Sequence, residues 1–186
     1  MLYPNGKKGT YKKNVINYKN RGMDLESLIN EANNYYLDND IAVIYKKPTP
    51  IGLVDVDYKS GIIKKAYFKD KSTLDYNGLY KGKYIDFDAK ESHNKTSFPL
   101  SYIHKHQIEH IRNVIKHDGI AFLIIDMNGL YYIIMGKDII DFIDTNDRKS
   151  IPYNYIKEKG YIINLTLKPV LNYLKVLDKI CFGGEI

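Results

Sequence analysis

The chain predicts an α+β fold. Three observations carry that reading. Residues 84–90 alternate polar and apolar with a period of two, the mark of a strand packed on one face. Residues 23–37, 103–117 and 168–180 carry apolar side chains at helical spacing. Strands and helices then mix without a repeating strand–helix–strand unit, and no internal repeat, low-complexity tract or linker splits the 186 residues. One domain is the default for that length.

In chain order, residues 1–21 read as a flexible basic arm with Lys7, Lys8, Lys12, Lys13, Lys19 and Arg21. Such an arm suits clamping DNA or is a simple disordered terminus. The helix at 23–37 is apolar through Leu25, Leu28, Ile29 and Ala32, with Glu31 at the edge of the stripe, where it would face a cleft. Ile41–Tyr45 is a short strand, ended by Lys46-Lys47-Pro48-Thr49-Pro50 because the prolines break pairing. Lys46 and Lys47 suit phosphate contact or an exposed loop. Gly52–Tyr58 and Ile62–Phe68 form a hairpin around Lys59-Ser60-Gly61, with Lys64, Lys65 and Lys69 on its second arm.

A second hairpin joins Ser72–Tyr80 to Tyr84–Lys90 through Lys81-Gly82. If those two residues are the turn, Leu79 faces Tyr84 and, by the same count, Asp75 faces Asp88. Opposed residues share a face, with Cβ atoms roughly 4.5–5.5 Å apart. Ile85, Phe87 and Ala89 point to a core; Tyr84, Asp86, Asp88 and Lys90 point the other way. Like charges on one strand face repel, so a structural strand has little use for them. A strand that holds a divalent cation and activates a water has a good use. Asn77-Gly78 is a second turn signal, and a bulge there would spoil the register.

Residues 91–100 read as a polar loop closed by Pro99. The helix at 103–117 turns Ile103, Ile108, Ile111, Val114 and Ile115 inward, with Gln107 near the boundary of that face. His106 and His110 stand four apart, as metal ligands do, but Lys105, Arg112 and Lys116 suggest a side facing DNA instead. Gly119–Asp126 and Leu130–Met135 are apolar runs around Asn128-Gly129, predicting a central antiparallel hairpin buried on both faces. Lys137–Ile143 is a short helix, 145–160 is rich in loop, and Lys168–Ile180 closes the chain as a helix.

The formal net charge is +6 and the sequence pI about 9.1. That balance favours a polyanionic partner. Arg occurs only at 21, 112 and 148, so Lys dominates and suits attraction to a phosphate backbone more than base reading. Cys181 stands alone, which excludes an intrachain disulfide and a zinc framework. With no apolar run long enough to span a bilayer and no signal-like segment, a cytoplasmic setting is expected.

Asp75-x12-Asp88-x-Lys90 is the PD-(D/E)xK nuclease pattern, and more specific words surround it. Asn20-Arg21-Gly22-Met23, Lys46-Lys47-Pro48-Thr49-Pro50, Lys65-Ala66-Tyr67-Phe68, Asp75-Tyr76-Asn77-Gly78, Lys95-Thr96-Ser97-Phe98-Pro99-Leu100 and His106-Gln107-Ile108-Glu109-His110 run in order along the chain. Together they resemble the RecU family of Holliday junction resolvases. The resemblance implies a restriction-endonuclease-like core: a mixed central sheet flanked by helices, with the hairpin at 52–68 as a projecting stalk that enters the centre of a four-way junction. It implies Mg²⁺, with Mn²⁺ as a substitute, held by Asp75 and Asp88 together with Thr73 and Gln107, the last through its amide oxygen or a bound water. Lys90 would stabilise negative charge on the phosphate or orient the attacking water, and Glu31 would be the first-helix acid that approaches the metal. Arg21, Lys46, Lys47, Lys59, Lys64, Lys65 and Lys69 would meet DNA. Asp86 would serve as an outer acid or as one half of a charge pair with a lysine. The twofold substrate implies a homodimer, and the family implies a RecA-type recombinase and a branch-migration motor as partners.

Two departures stand out. The family usually has Glu where this chain has Asp88, one methylene shorter, and the basic arm is shorter than is common. The first favours a second reading, a junction-bridging protein with weak or no cleavage; the second bears on part of the DNA-binding surface. A restriction-like endonuclease on duplex DNA shares the same active-site pattern.

Overall fold

The structure, a computed structural model, describes residues 24–69 and 73–184. The basic arm, Arg21 included, lies outside the described residues. Helix α1 (Leu25–Asp38) opens on Asp24, whose side chain accepts from the Ser27 N–H at 2.7 Å. Strands β1 (Val43–Lys46), β2 (Ile51–Asp57), β3 (Ile62–Phe68), β4 (Tyr76–Tyr80), β5 (Lys83–Ser92) and β6 (Ser97–Pro99) follow. Then come α2 (Lys105–Lys116), β7 (Ile120–Met127), β8 (Leu130–Met135), α3 (Gly136–Thr145), β9 (Ser150–Pro152), α4 (Tyr153–Lys159), β10 (Tyr161–Ile163) and α5 (Tyr173–Cys181). No helix among the described residues is long and apolar enough to cross a membrane.

The main sheet has six strands in the order β1-β4-β5-β7-β8-β10. Only β5 and β7 run parallel, which makes the sheet mixed. Helices α1 and α5 pack with Ile85, Phe87, Phe122 and Ile124 on one face. Helices α2 and α3 cover the other face through Ile111, Val114, Ala121 and Ile139. The fold is therefore α+β, with a mixed central sheet between helices.

Strand β5 lies inside this sheet because its odd face is apolar. Tyr76, Phe87 and Phe122 stand in register on β4, β5 and β7. Their rings stack, with centroids 4.9 and 4.7 Å apart. Such cross-strand aromatic pairs fix register as well as stability. The β4–β5 turn places Lys81 at φ 47° and Gly82 at φ 75°. Two positive φ values give the turn whose twist matches its flanking strands.

Gly78 does not mark a bulge. It lies mid-strand in β4, opposite Ile44 of β1. A Cβ there would fall 2.1 Å from the Val43 carbonyl oxygen, so the glycine serves close approach of the two strands.

The hairpin β2–β3 is a separate two-stranded sheet that does not extend the main one. Its register shifts near Leu53, Asp55 and Val56. Leu53, Val54, Tyr58, Ile62, Tyr67 and Phe68 are exposed, so it is not an ordinary edge hairpin.

Three stretches differ from the sequence reading. Residues 145–160 contain β9 and α4, anchored by buried Ile151 and Ile156. Each is too short to show a period. The loop at 91–100 holds β6, paired with β9. The last helix begins at Tyr173, not Lys168, with Asn172 supplying the cap. The apolar Val170 and Leu171 are buried from an irregular segment instead.

Candidate active site

The polar face of β5 is buried beneath α2. Asp86 and Asp88 each have no solvent exposure, whereas most buried charges must be paired. Asp88 Oδ2 accepts from Lys90 Nζ at 2.7 Å and from Gln107 Nε2 at 2.7 Å. Asp88 Oδ1 is buried and has no hydrogen-bond partner. Asp75 continues the β4–β5 register opposite Asp88. Its residue is exposed, but its carboxylate is partly shielded. Burial, and next the Asp88 charge beside it, push the Asp75 pKa up, while Lys90 pulls it down.

Two carboxylates thus converge with one buried oxygen left unsatisfied. A hard cation that takes oxygen ligands fits this donor set. Lys90 uses one N–H on Asp88 and keeps two for a further anion.

Thr73 stands beside the pair, just before β4. Its hydroxyl accepts from Lys47 Nζ at 2.7 Å. Its carbonyl oxygen accepts a longer bond, 3.5 Å, from Gln107 Nε2.

Gln107 reaches the site from α2. It occupies the third position of α2, and its Oε1 accepts from the His104 N–H at 3.1 Å. Capping the helix consumes the amide oxygen, so the NH₂ end faces Asp88. In this geometry Gln107 donates to the Asp88 carboxylate, and its amide oxygen is turned to the helix end.

Lys47 departs from its expected role. Its ammonium donates to both Asp86 oxygens at 2.9 Å as well as to Thr73. Three donors are all the group has, so none is left for phosphate. Asp86 also accepts from Tyr84 Oη at 2.6 Å and lies 2.7 Å from His110 Nε2. The charge pair of Asp86 with a lysine is real, and that lysine is Lys47.

Glu31 is exposed and has no hydrogen bond or ion pair among the described residues. The first turn of α1 carries another acid, Glu26. Glu26 pairs with Lys46 of β1, and Lys46 in turn lowers the Asp75 pKa. Burial first, and then the charges of Glu26, Asp75 and Asp88, raise the pKa of Tyr76. Glu31 stands about one and a half turns farther along the helix, roughly 7–8 Å away along the axis. At the N-terminal end of α1 the Leu25 N–H donates to Glu91 Oε1 at 3.1 Å. Glu26 was legible only as a first-turn acid after an N-cap, a signal that reads as helix capping.

His106 stacks on His104 with ring centroids 5.4 Å apart. His110 turns to Asp86, so the two histidines of the helical pair serve different neighbours. Lys59, Lys64, Lys65 and Lys69 are exposed on the β2–β3 hairpin and the residues that follow it. Lys64 comes within 3.9 Å of Asp57, a pair of little energetic weight at such exposure.

The profile of the RecU family, described as recombination protein U, matches residues 20–179. A Holliday junction resolvase RecU from Bacillus cytotoxicus is 48% identical over 97% of this chain and 98% of its own. Its counterpart from Bacillus pumilus is 46% identical over 98% and 97%. A solved Holliday junction resolvase from Archaeoglobus fulgidus, Hjc, covers 68% of this chain and 87% of its own at a TM-score of 0.41 and 8% identity. That likeness is too slight to argue from. The match over most of the sequence, in near-full-length register with the Bacillus proteins, means that the chain belongs to the RecU family.

Proposed function

We propose that this protein is a Mg²⁺-dependent endonuclease that resolves Holliday junctions by phosphodiester hydrolysis. The observation that carries the reading is the convergence of Asp75, Asp88 and Lys90 around a buried, unpartnered Asp88 Oδ1. Membership of a family whose Bacillus members are named Holliday junction resolvases supports it.

Asp75 and Asp88 would hold the cation, with the Thr73 hydroxyl beside them. A bound Mg²⁺ neutralises phosphate charge and lowers the pKa of a coordinated water. Gln107 keeps the Asp88 carboxylate turned toward the site through its 2.7 Å bond. Lys90 places its free N–H donors where negative charge grows on the phosphoryl oxygens. The exposed hairpin, with Lys59, Lys64, Lys65 and Lys69 along it, would meet the open centre of a four-way junction, and a homodimer would present two sites to its two strands.

A cleavage assay on a four-way junction and on linear duplex, each with and without Mg²⁺, tests the reading. Paired, Mg²⁺-dependent incisions in the junction alone are expected. Binding without incision would make the protein a bridging factor, and equal cutting of duplex would make it a restriction-like nuclease.

A further inference from the structure

Asp86 and Lys47 sit behind the metal-facing residues. Asp86 is fully buried on the same face of β5 as Asp88. It collects Lys47 from the chain just beyond β1, Tyr84 from its own strand and His110 from α2. A fully buried carboxylate with four such contacts is well satisfied and has little capacity left for a cation. Lys47 spends two N–H groups on that carboxylate and the third on Thr73 Oγ1 at 2.7 Å. The threonine precedes the first residue of β4 and has no ladder of its own to hold it. Left alone, a threonine hydroxyl in such a position bonds its own backbone. With Lys47 donating, one lone pair is fixed and the other is turned away from the ammonium.

We propose that Asp86 and Lys47 are positioning residues for the metal centre: Asp86 anchors the Lys47 ammonium, and Lys47 aims the Thr73 hydroxyl at the site formed by Asp75 and Asp88. The inference rests on the metal-dependent reading above. Lys47 then contributes nothing to DNA affinity, although it sits beside Lys46 in a basic pair. Removing an outer partner that orients a ligand typically weakens metal binding by about 10–100-fold.

The test uses the full-length protein and Mn²⁺ as the probe. Mn²⁺ affinity is measured by calorimetry for the wild type, Lys47→Met, Thr73→Ala and the double variant. Each single change is expected to weaken binding about tenfold or more, and the double variant to be no weaker than the weaker single. Multiplying losses in the double variant would overturn the inference, because Lys47 would then act by a separate route. Junction affinity in EDTA is expected to be unchanged in Lys47→Met; a loss there would make Lys47 a phosphate contact and overturn it as well. Lys47→Met leaves the buried Asp86 carboxylate without its lysine, with only Tyr84 and His110 beside it, which threatens folding. Lys47→Met combined with Asp86→Asn removes both charges while Asn still accepts from Tyr84, and the same loss of Mn²⁺ affinity is expected of it. For that pair, excess Mg²⁺ should restore turnover, so that the loss appears in the Mg²⁺ concentration required and not in the rate at saturation. Unchanged Mn²⁺ affinity in a folded variant would sink the positioning role alone. A wild-type protein that binds no Mn²⁺, or binds it equally after Asp88→Asn, would sink the metal-dependent reading instead.

Discussion

Within Asp88 the two carboxylate oxygens have different fates. Oδ2 is held by Lys90 and Gln107, while Oδ1 is buried without a partner. Asp88→Asn or Asp75→Asn should abolish Mg²⁺-dependent cleavage, and gel-shift affinity for a junction in EDTA should persist. Asp75→Asn should also raise the melting temperature in EDTA, because it removes a carboxylate whose charged form is disfavoured first by burial and next by the Asp88 charge; calorimetry with and without Mg²⁺ would check this. A lower melting temperature in EDTA would mean that Asp75 is paired in the metal-free protein. Lys90→Ala should lower turnover about 100–1000-fold with little change in junction affinity, the size expected for losing one donor to developing charge. The trio was legible in the sequence because a period of two and a two-residue turn fix which residues oppose each other. The contacts of Lys47 and Glu26 were not, because each depends on a partner distant in the chain, and the turn of the Gln107 amide was not, because a histidine stands at the N-cap where the usual signal is Ser or Thr. The amide of Gln107 is turned by a helix end, Lys47 by a carboxylate on another strand, and Glu26 by a lysine on β1.

At the scale of elements, the hairpin β2–β3 and the strand pair β1–β4 make opposite demands. The hairpin stands as its own small sheet with apolar side chains open to solvent. Deleting residues 56–63 and closing the strands with a tight turn should leave the melting temperature and Mg²⁺ binding intact. Duplex affinity should fall modestly and preference for a junction much more, as competition gel shifts would show. Retained preference in a folded deletion variant would exclude the hairpin from junction recognition. The β1–β4 pair tolerates no such change. Gly78→Ala drives a methyl into the Val43 carbonyl and should cost about 1–3 kcal/mol, the range for overpacking. Because β1 leads directly into Lys47, divalent-cation affinity should fall with it. Helices α1 and α2 were readable because each repeats its period, β5 because it alternates over seven residues, and β7 and β8 because they are apolar runs on either side of an Asn-Gly turn. β9, β10 and α4 were not: a seven-residue helix or a three-residue strand shows too little pattern, and tertiary burial of Ile151, Ile156 and Ile163 decides them.

For the whole molecule, the expected assembly is a homodimer, since one chain carries one site and the substrate has two strands related by a twofold axis. Sedimentation equilibrium should give about twice the 21.6 kDa of the chain. A monomer that resolves junctions fully would contradict this. Another whole-chain property lies in the pairing of β5 with β7. They are parallel, so the chain must travel through β6 and α2 before β7 can dock. That same passage lays Gln107 and His110 over Asp88 and Asp86. Hairpin β4–β5 forms from neighbours in sequence, but its carboxylates stay uncovered until the long loop closes, and long-range parallel pairing is slow. The order of folding therefore doubles as a safeguard: a partly synthesised or partly refolded chain holds the acidic strand without the helix that orients it. In refolding from urea, Mn²⁺ binding and cleavage should return together with the slow phase that buries β7, and not with the early hairpin. Cleavage activity in a fragment that stops short of Ile120 would show that the covering helix and strand are dispensable.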